Sequence, residues 1–386
     1  MTTTDAPGDE QKSAPEPPDG PESPQSPESP ESPAPEPPAP RRRRGRRVLL
    51  VVSLCLLVLV LAAGGTTWWM YDGLNSNLKH GAVDLDKAVG DPKTRPQKDA
   101  QAGDAINLLV LGSDSRAGAN SALDGGSKLG GARSDTALLV HVAKGRSKAV
   151  AVSIPRDTLV DRPQCRKADG TVVPGASRVM FNSVYSQVGS ACTVKTVEKL
   201  SNVRVDHLVE VDFAGFKDLV DAIGGVSVTL DQPVDTAALK LDAGTHRLNG
   251  TQSLRLVRTR YGYGDGSDLG RITLQQKFLL ALLGEIKKQD LLSNPVKLYR
   301  IADQLTASLN TDSGLASLTS LANFGKSVQN VDPQAMETIM LPVAYDKADP
   351  NRVVPAEPQD GQLWKAIRTD TTVPESAKKS PAHGAG

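Results

Sequence analysis

Residues 207–230 read HLVEVDFAGFKDLVDAIGGVSVTL, and two periodicities succeed one another within them. The run at 207–211 is short and apolar with β-branched Val209 and Val211, the composition of a strand. From 213 to 223, Phe213, Phe216, Leu219, Val220 and Ile223 return at spacings of three and four, which gathers them on one helical face. Gly224-Gly225 is a natural helix stop, and 226–230 reads as a second strand. Strand composition recurs upstream at 106–111, 136–142 and 149–154. Helical spacing recurs at 194–200 and 272–288. Residues 291–324 read as helical, 338–342 as a late strand, and the end after about residue 372 as a frayed tail. Such alternation predicts an α/β fold, a mixed central β-sheet flanked by helices.

Further out, the charge is uneven. The 386 residues hold 45 Lys+Arg against 44 Asp+Glu, yet residues 1–40 carry 9 acidic groups, 1 basic group and 13 of the 27 prolines. Residues 41–47 then place six arginines in seven positions, leaving about +3 for the rest. A globally basic nucleic-acid binder is therefore disfavoured, as is a uniformly acidic disordered chain. The Ser-Pro-Glu and Pro-Glu-Pro repeats of residues 1–40 lack apolar periodicity and read as a solvated tail.

Residues 48–71, VLLVVSLCLLVLVLAAGGTTWWMY, contain no charge. As a helix they reach about 36 Å, against a hydrocarbon core of about 30 Å. The arginine run precedes them, and Trp68, Trp69 and Tyr71 lie at the far end, where amphipathic rings favour the headgroup region. The reading is a single transmembrane helix with the N-terminus cytoplasmic and everything after Asp72 extracytoplasmic. A cleaved secretory signal is the competing reading, and the long n-region and aromatic belt count against it. The organisation expected is a tail at 1–47, the helix at 48–71, a juxtamembrane linker at 72–103, an extracytoplasmic domain at 104–372 and a tail at 373–386.

That topology governs the cysteines. Cys55 lies in the span, whereas Cys165 and Cys192 are exported to where disulfides persist, so these two are expected to pair. No Cys/His spacing suggests zinc.

Chemistry concentrates where the strands end. Gly112-Ser113-Asp114-Ser115-Arg116 follows the first strand, Arg133-Ser134-Asp135-Thr136 opens the second, and Ser153-Ile154-Pro155-Arg156-Asp157-Thr158 closes the third. Each pairs Arg with Asp. Taken singly, each Arg simply pairs with its neighbour; brought together, they form a mixed-charge cluster at the loops where α/β sheets hold ligands. Two like charges about 5 Å apart repel by roughly 3 kcal/mol at an effective dielectric near 20, so an Arg cluster demands compensation. Arg258 and Arg260 are two apart and, in an extended chain, point to one side. If a helix begins near Asp268, then Asp268, Arg271 and Gln275 share a face beside its positive terminus. These groups suit a multiply charged anion such as a pyrophosphate. Carboxylates without His or Cys suit a hard cation such as Mg²⁺.

The ordered set GSDSR, RSDT, SIPRDT, VDFAGFKDLVDAIGGV, LNG, VRTR and DLGRITLQQ, over residues 106–283, resembles the LytR-CpsA-Psr family. The resemblance implies a membrane-anchored, extracytoplasmic phosphotransferase that moves a glycopolymer from a polyprenyl-pyrophosphate carrier to peptidoglycan in cell-wall assembly, wall teichoic acid among the possible polymers. It implies Mg²⁺, with Mn²⁺ as the alternative ion, on Asp114 and Asp135. It implies pyrophosphate contacts from Arg133, Arg156, Arg258, Arg260 and Arg271, with Asp268 and Gln275 beside them. Arg156, Asp268 and Arg271 are the expected catalytic groups. An apolar tunnel for the polyprenyl chain is implied between sheet and helices, walled by residues 213–223 and 278–283. Two departures stand out: the Gly-rich stretch 117–132 separates Asp114 from Asp135 by 21 positions, and Val179-Met180-Phe181-Asn182-Ser183 replaces a common Lys-Ile-Asn-Ala segment.

Two other classes compete with the transferase: a polyprenyl-pyrophosphate pyrophosphatase, and a non-catalytic receptor for anionic wall polymer. No Ser-His-Asp order or Gly-x-Ser-x-Gly elbow supports a serine hydrolase, and no phosphate-binding P-loop is present. The cytoplasmic part contains no helix-turn-helix, so nucleic acid is not an expected partner.

Overall fold

A computed structural model describes residues 42–79, 82–113, 134–259, 263, 268–289 and 294–381. The chain divides after Ala62. In the first unit, helix α1 (Arg42–Lys79) leaves every leucine and valine from 49 to 61 between 51% and 70% exposed. A helix apolar on all sides is stable when its solvent is lipid. By length and composition, Leu49–Lys79 is able to cross a membrane.

The second unit begins inside the same helix, which continues past residue 71 to Lys79 because Leu74 and Leu78, four apart, are buried. Tyr71 Oη lies 3.2 Å from Thr319 Oγ1, and Asn77 Nδ2 donates to Asp303 and Thr306 at 3.3 Å. The expected linker at 72–103 is therefore largely part of the fold. Its short helix α2 (Leu85–Val89) buries both ends, and Val83 exchanges backbone hydrogen bonds with Thr311 and Ser313. Arg95 donates to Glu198 at 2.7 Å with both side chains 4% exposed, and to the carbonyl of Val205 at 2.6 Å.

Strand β1 (Ile106–Ser113) is followed by β2 (Ser134–Val142) and β3 (Ala149–Ser153). A flap then places β4 (Leu159–Arg162), β5 (Cys165–Arg166), β6 (Val172–Val173) and β7 (Ala176–Met180) as nested antiparallel pairs. Helices α3 (Phe181–Val188) and α4 (Ser190–Ser201) follow, and the Cys165–Cys192 disulfide ties the flap to α4. A sequence separation of 27 corresponds to about 3.5 kcal/mol in the chain-entropy model.

Next come β8 (His207–Asp212), α5 (Phe213–Ala222), β9 (Val226–Leu230), β10 (Val234–Asp235), β11 (Lys240–Leu241) and β12 (Gly244–Leu248). The helical layer comprises α6 (Gly250–Val257), α7 (Asp268–Lys288) and α8 (Pro295–Ser308). The end of the domain adds β13 (Leu309–Thr311), α9 (Leu318–Val328), β14 (Glu337–Met340), β15 (Val343–Tyr345), β16 (Val353–Pro355) and α10 (Gln359–Arg368). The helical stretch expected at 291–324 is thus split. Leu309–Thr311 pairs antiparallel with β8, and Ser317 caps a new helix by accepting from the amide of Ser320.

The central sheet runs β13-β8-β1-β2-β3-β14, with β1/β8 and β3/β14 parallel and the other pairs antiparallel. Alternation sends Leu109, Leu111, Leu139, Val152 and Leu208 to one face, where they pack with Phe181, Val194, Val197 and Trp364. Val110, Leu138 and Ala151 take the other face, among Leu279, Leu280 and Leu283 of α7. β9 pairs with β12 outside this sheet and closes a separate core with α5, α6 and α7. The tail expected from 373 is packed as far as described: Ala377 and Ser380 are buried, and Ser380 Oγ hydrogen-bonds both backbone groups of Val343.

Candidate active site at the strand ends

Antiparallel and parallel pairing together bring the C-terminal ends of β1, β3 and β8 to the edge where β2 begins. Gly112 lies opposite Thr136 and Val211, Ser113 opposite Ser134 and Asp212, and Leu138 opposite Ser153. The register slips between Gly112 and Ser113, so Asp135 is the extra residue of a β-bulge, a device that re-aims side chains beside active sites. Gly112 packs closely there: a Cβ would come within 3.3 Å of Thr136 Cβ, a contact relieved only by a shift of a few tenths of an ångström.

Under this edge, between the sheet and α5, α6 and α7, lies an apolar cavity of about 210 Å³. Phe213, Phe216 and Leu219 of α5 face Phe278, Leu279 and Leu282 of α7, as the resemblance implies for its tunnel walls. Val110, Leu138 and Val211 form the floor. Glycines allow the close contacts that α5 makes with its neighbours α8 and α6. A Cβ on Gly215 would fall 1.9 Å from Ser308 Cβ, and one on Gly250 would fall 2.1 Å from the carbonyl oxygen of Lys217. The Leu-Asn-Gly motif also starts α6, since Asn249 and Gln252 form a reciprocal capping box and Asp221 accepts from the amide of Gly250 at 2.7 Å.

Arg258 and Gln275 stand at the cavity's rim. The Arg258 guanidinium lies 4.9 Å from the Phe213 ring centroid, a cation–π contact that holds it over a wall residue. Arg258 is the C-cap of α6 with helical backbone angles, so the extended arrangement expected for Arg258 and Arg260 is replaced at this residue by a helix end. The physical reason is that the Arg258 amide donates to the carbonyls of Leu254 and Leu256 and so stays in the last turn. Arg156, three residues beyond Ser153, donates through Nε to Asp157 at 3.2 Å, and its carbonyl accepts from the amide of Asn182 at 3.0 Å. Gln275 lines the cavity and donates to the carbonyl of Val257 at 3.0 Å, which fastens α7 to the end of α6.

Helix α7 is described from Asp268, and along it Asp268, Arg271 and Gln275 occupy positions of one face. The side chains of Asp135, Asp268 and Arg271, and all of Asp114, Arg133 and Arg260, lie outside the described residues. Arg156, Arg258 and Gln275 are thus the expected site residues whose side chains the structure describes.

Several contributors carried no signal of their own in the sequence. Ser153 Oγ accepts from Gln276 Nε2 at 3.3 Å across the cavity rim, and Tyr185 Oη of α3 donates to Ser113 Oγ at 2.9 Å. Ser153 stands inside the SIPRDT motif and Ser113 inside GSDSR, so both were within quoted motifs, whereas Tyr185 was not. On the opposite sheet face, Glu210 is 8% exposed, and burial raises its carboxyl pKa above the ordinary value while Ser190 and Asn310 hydrogen bonds oppose the shift.

The family model described as the LytR_cpsA_psr family matches residues 73–369. The chain is similar to the cell wall biosynthesis protein LcpA of Corynebacterium glutamicum, 29% identical over 272 residues that are 64% of this chain and 52% of that one. It thus spans about half the length of that relative. It is also similar to the polyisoprenyl-teichoic acid–peptidoglycan teichoic acid transferase TagT of Bacillus subtilis, 30% identical over 73% of this chain and 83% of that one. Among solved structures, a LytR-Csp2A-Psr enzyme from Actinomyces oris shares the fold, with a TM-score of 0.55 and 24% identity over 75% of this chain and 97% of that chain. With three quarters of its length matched and the strand-end motifs gathered at one edge over an apolar cavity, this chain belongs to the LytR_cpsA_psr family.

Proposed function

We propose that the protein is a membrane-anchored, extracytoplasmic phosphotransferase that moves a glycopolymer from a polyprenyl-pyrophosphate carrier to a sugar hydroxyl of peptidoglycan. The observation that carries this reading is the apolar cavity with arginine at its rim: a long hydrocarbon with an anionic head needs both in that order. The name of the Bacillus subtilis relative, a teichoic acid transferase, supports the reaction class. The exposed apolar helix supports the anchor, and a disulfide in the domain agrees with its lying outside the cytoplasm.

In the proposed step the acceptor oxygen attacks the phosphorus attached to the glycopolymer. The bond from that phosphorus to the bridging oxygen breaks, and polyprenyl phosphate leaves with its electron pair. The hydroxyl proton passes to a carboxylate, for which we assign Asp268 at the start of α7. Phosphoryl transfer depends on positioning and charge neutralisation, which Arg156, Arg258 and Arg271 supply together with Arg133 and Arg260. Phe213, Phe278 and their neighbours hold the hydrocarbon and exclude water.

For the divalent cation, Mg²⁺ or Mn²⁺, the donor set fits a hard ion. The expected donors, Asp114 and Asp135, are carboxylates with no His or Cys among them, the oxygen donors that such an ion prefers. Asp114 and Asp135 would hold the ion, which when bound supplies positive charge to the phosphate oxygens.

The test uses the full chain in nanodiscs with a polyprenyl-pyrophosphate-linked oligosaccharide and a peptidoglycan oligomer, with and without Mg²⁺, read by mass spectrometry. A phosphodiester-linked product is expected, reduced by about 100- to 1,000-fold in Arg156→Ala and lost in Asp135→Asn. Free sugar phosphate with unmodified acceptor would make the protein a hydrolase instead, and donor binding without turnover would make it a receptor.

A further inference from the structure

A second hollow, of about 420 Å³, opens between the first turns of α7 and the edge strand β14. Ile272, Thr273 and Gln276 form one wall, and Thr338 and Met340 form the other. Lys378 and Lys379 stand at its border. Gln276 lines this hollow and the apolar cavity alike, and it is anchored there by its bond to Ser153 Oγ. One side chain thus separates the two spaces. Ile272 and Thr273 follow Arg271 directly, so the groove runs up to the segment assigned to the reacting phosphate.

The chemistry of the two spaces differs. The cavity is enclosed almost wholly by aromatic and aliphatic side chains, whereas the groove mixes apolar Ile272, Ile339 and Met340 with the hydroxyl, amide, carboxylate and ammonium groups of Thr273, Thr338, Gln276, Glu337, Lys378 and Lys379, and is bordered by a strand that among the described residues has β3 on one side and no strand on the other. A free strand edge offers backbone donors and acceptors to an extended amide-bearing partner. Lys378 is committed to Glu337 and Glu375, while Lys379 is exposed and forms no salt bridge among the described residues.

We propose that this groove is the acceptor subsite, holding a peptidoglycan strand with its stem peptide laid along β14 and a peptide carboxylate at Lys379. The proposal rests on the transferase reading above. A polar glycopeptide cannot enter the donor cavity, and it must present its hydroxyl at the rim; the groove leads there past Gln276. Thr338 and Lys379 are then specificity determinants for the acceptor and have no contact with the donor's hydrocarbon.

The experiment measures acceptor KM, kcat and donor Kd for the full chain in nanodiscs, in Lys379→Glu and in Thr338→Arg, with Lys148→Glu as a distant charge-reversal control. Lys379→Glu and Thr338→Arg are each expected to raise acceptor KM by about tenfold or more, while kcat and donor affinity stay within about twofold and the control is unchanged. Unaltered acceptor KM in both variants overturns the proposal, and so does a parallel loss of donor affinity, which would make the groove part of the donor site. Binding of a peptidoglycan oligomer without donor is measured alongside. Wild-type binding that both variants lose sustains the groove even if no transfer occurs, in which case only the transferase reading fails. Equal binding by all variants removes the groove. Melting curves matching wild type show that each variant is folded.

Discussion

Replacing Gly215 by alanine tests whether helix contact, and with it the cavity wall on α5, depends on a missing side chain. In an unconstrained helix interior this change stabilises by about 1 kcal/mol. Here the new Cβ would lie 1.9 Å from both Cβ and Oγ of Ser308 and 2.9 Å from its Cα. Rotating the serine relieves the Oγ contact and neither carbon contact. Ordinary carbon–carbon contact is about 3.5–4.0 Å, so α5 and α8 must separate by roughly 1.5–2 Å. Overpacking of this kind costs about 1–3 kcal/mol, occasionally more. Against the helix gain, we expect a net loss of up to about 2 kcal/mol, at that limit equivalent to about 4 °C in melting temperature for a large domain. The assay is urea and thermal unfolding of the full chain in detergent for Gly215→Ala, Ser308→Gly and the double variant. Ser308→Gly removes the obstructing atoms, so the double variant is expected to recover at least about 1.5 kcal/mol relative to the sum of the single changes. A coupling near zero, or a stabilised Gly215→Ala, would refute the contact as the reason for glycine. Because Phe213, Phe216 and Leu219 ride on α5, donor affinity should fall and recover with the same pattern.

Three further outcomes follow from the geometry. Arg95→Met leaves Glu198 buried without its guanidinium and should cost about 3–5 kcal/mol in unfolding free energy, most of it restored by adding Glu198→Leu; a loss below about 1 kcal/mol would show that the pair is solvated. Val110→Trp places bulk into existing space, so its stability cost should fall below the roughly 1–3 kcal/mol of overpacking, while displacing about three carrier methylenes at about 0.8 kcal/mol each weakens donor binding more than tenfold. Donor affinity equal to wild type would place the hydrocarbon elsewhere. Asp360 has its pKa pushed up to about 6 by burial and by the neighbouring Glu357. Its folded-state value exceeds its unfolded value, so the stabilising contribution is complete below about pH 4 and lost as pH rises through about 6. Asp360→Asn should therefore stabilise the domain at pH 7.5 by about 1–2 kcal/mol, less than the full shift implies because solvent screens part of it, with the advantage vanishing near pH 4. An advantage independent of pH would refute the titration.

Much of this arrangement was legible locally. The period change within 207–230 marked β8, α5 and β9 because burial on one face imposes spacing that no neighbour needs to supply. The meeting of the strand ends that carry Gly112, Thr136 and Ser153 was legible because motifs at strand ends fall at one edge once the strands pair. Arg258 was found for its charge, yet its posture came from the last turn of α6, whose Leu254 and Leu256 carbonyls accept from its amide. Tyr185 had no such marker: its role depends on α3 coming to rest beside the end of β1.

The sequence alone determined the apolar span, the strand and helix identities with strong periodicity, and the Cys165–Cys192 pairing, since each follows from solvent preference, local spacing or compartment. Tertiary structure decided what depends on partners distant in the chain. Leu309–Thr311 is a strand because β8 offers an edge, and β9 leaves the central sheet because β12 pairs with it. Residues 82–102 join the fold because Glu198 and the backbone of Thr311 receive them. The same apolar positions on α5 and α7 that periodicity marks as core become cavity wall because the two helices stand at a separation over the sheet that their side chains do not fill. That distance is a property of packing between elements, which no single element's spacing encodes.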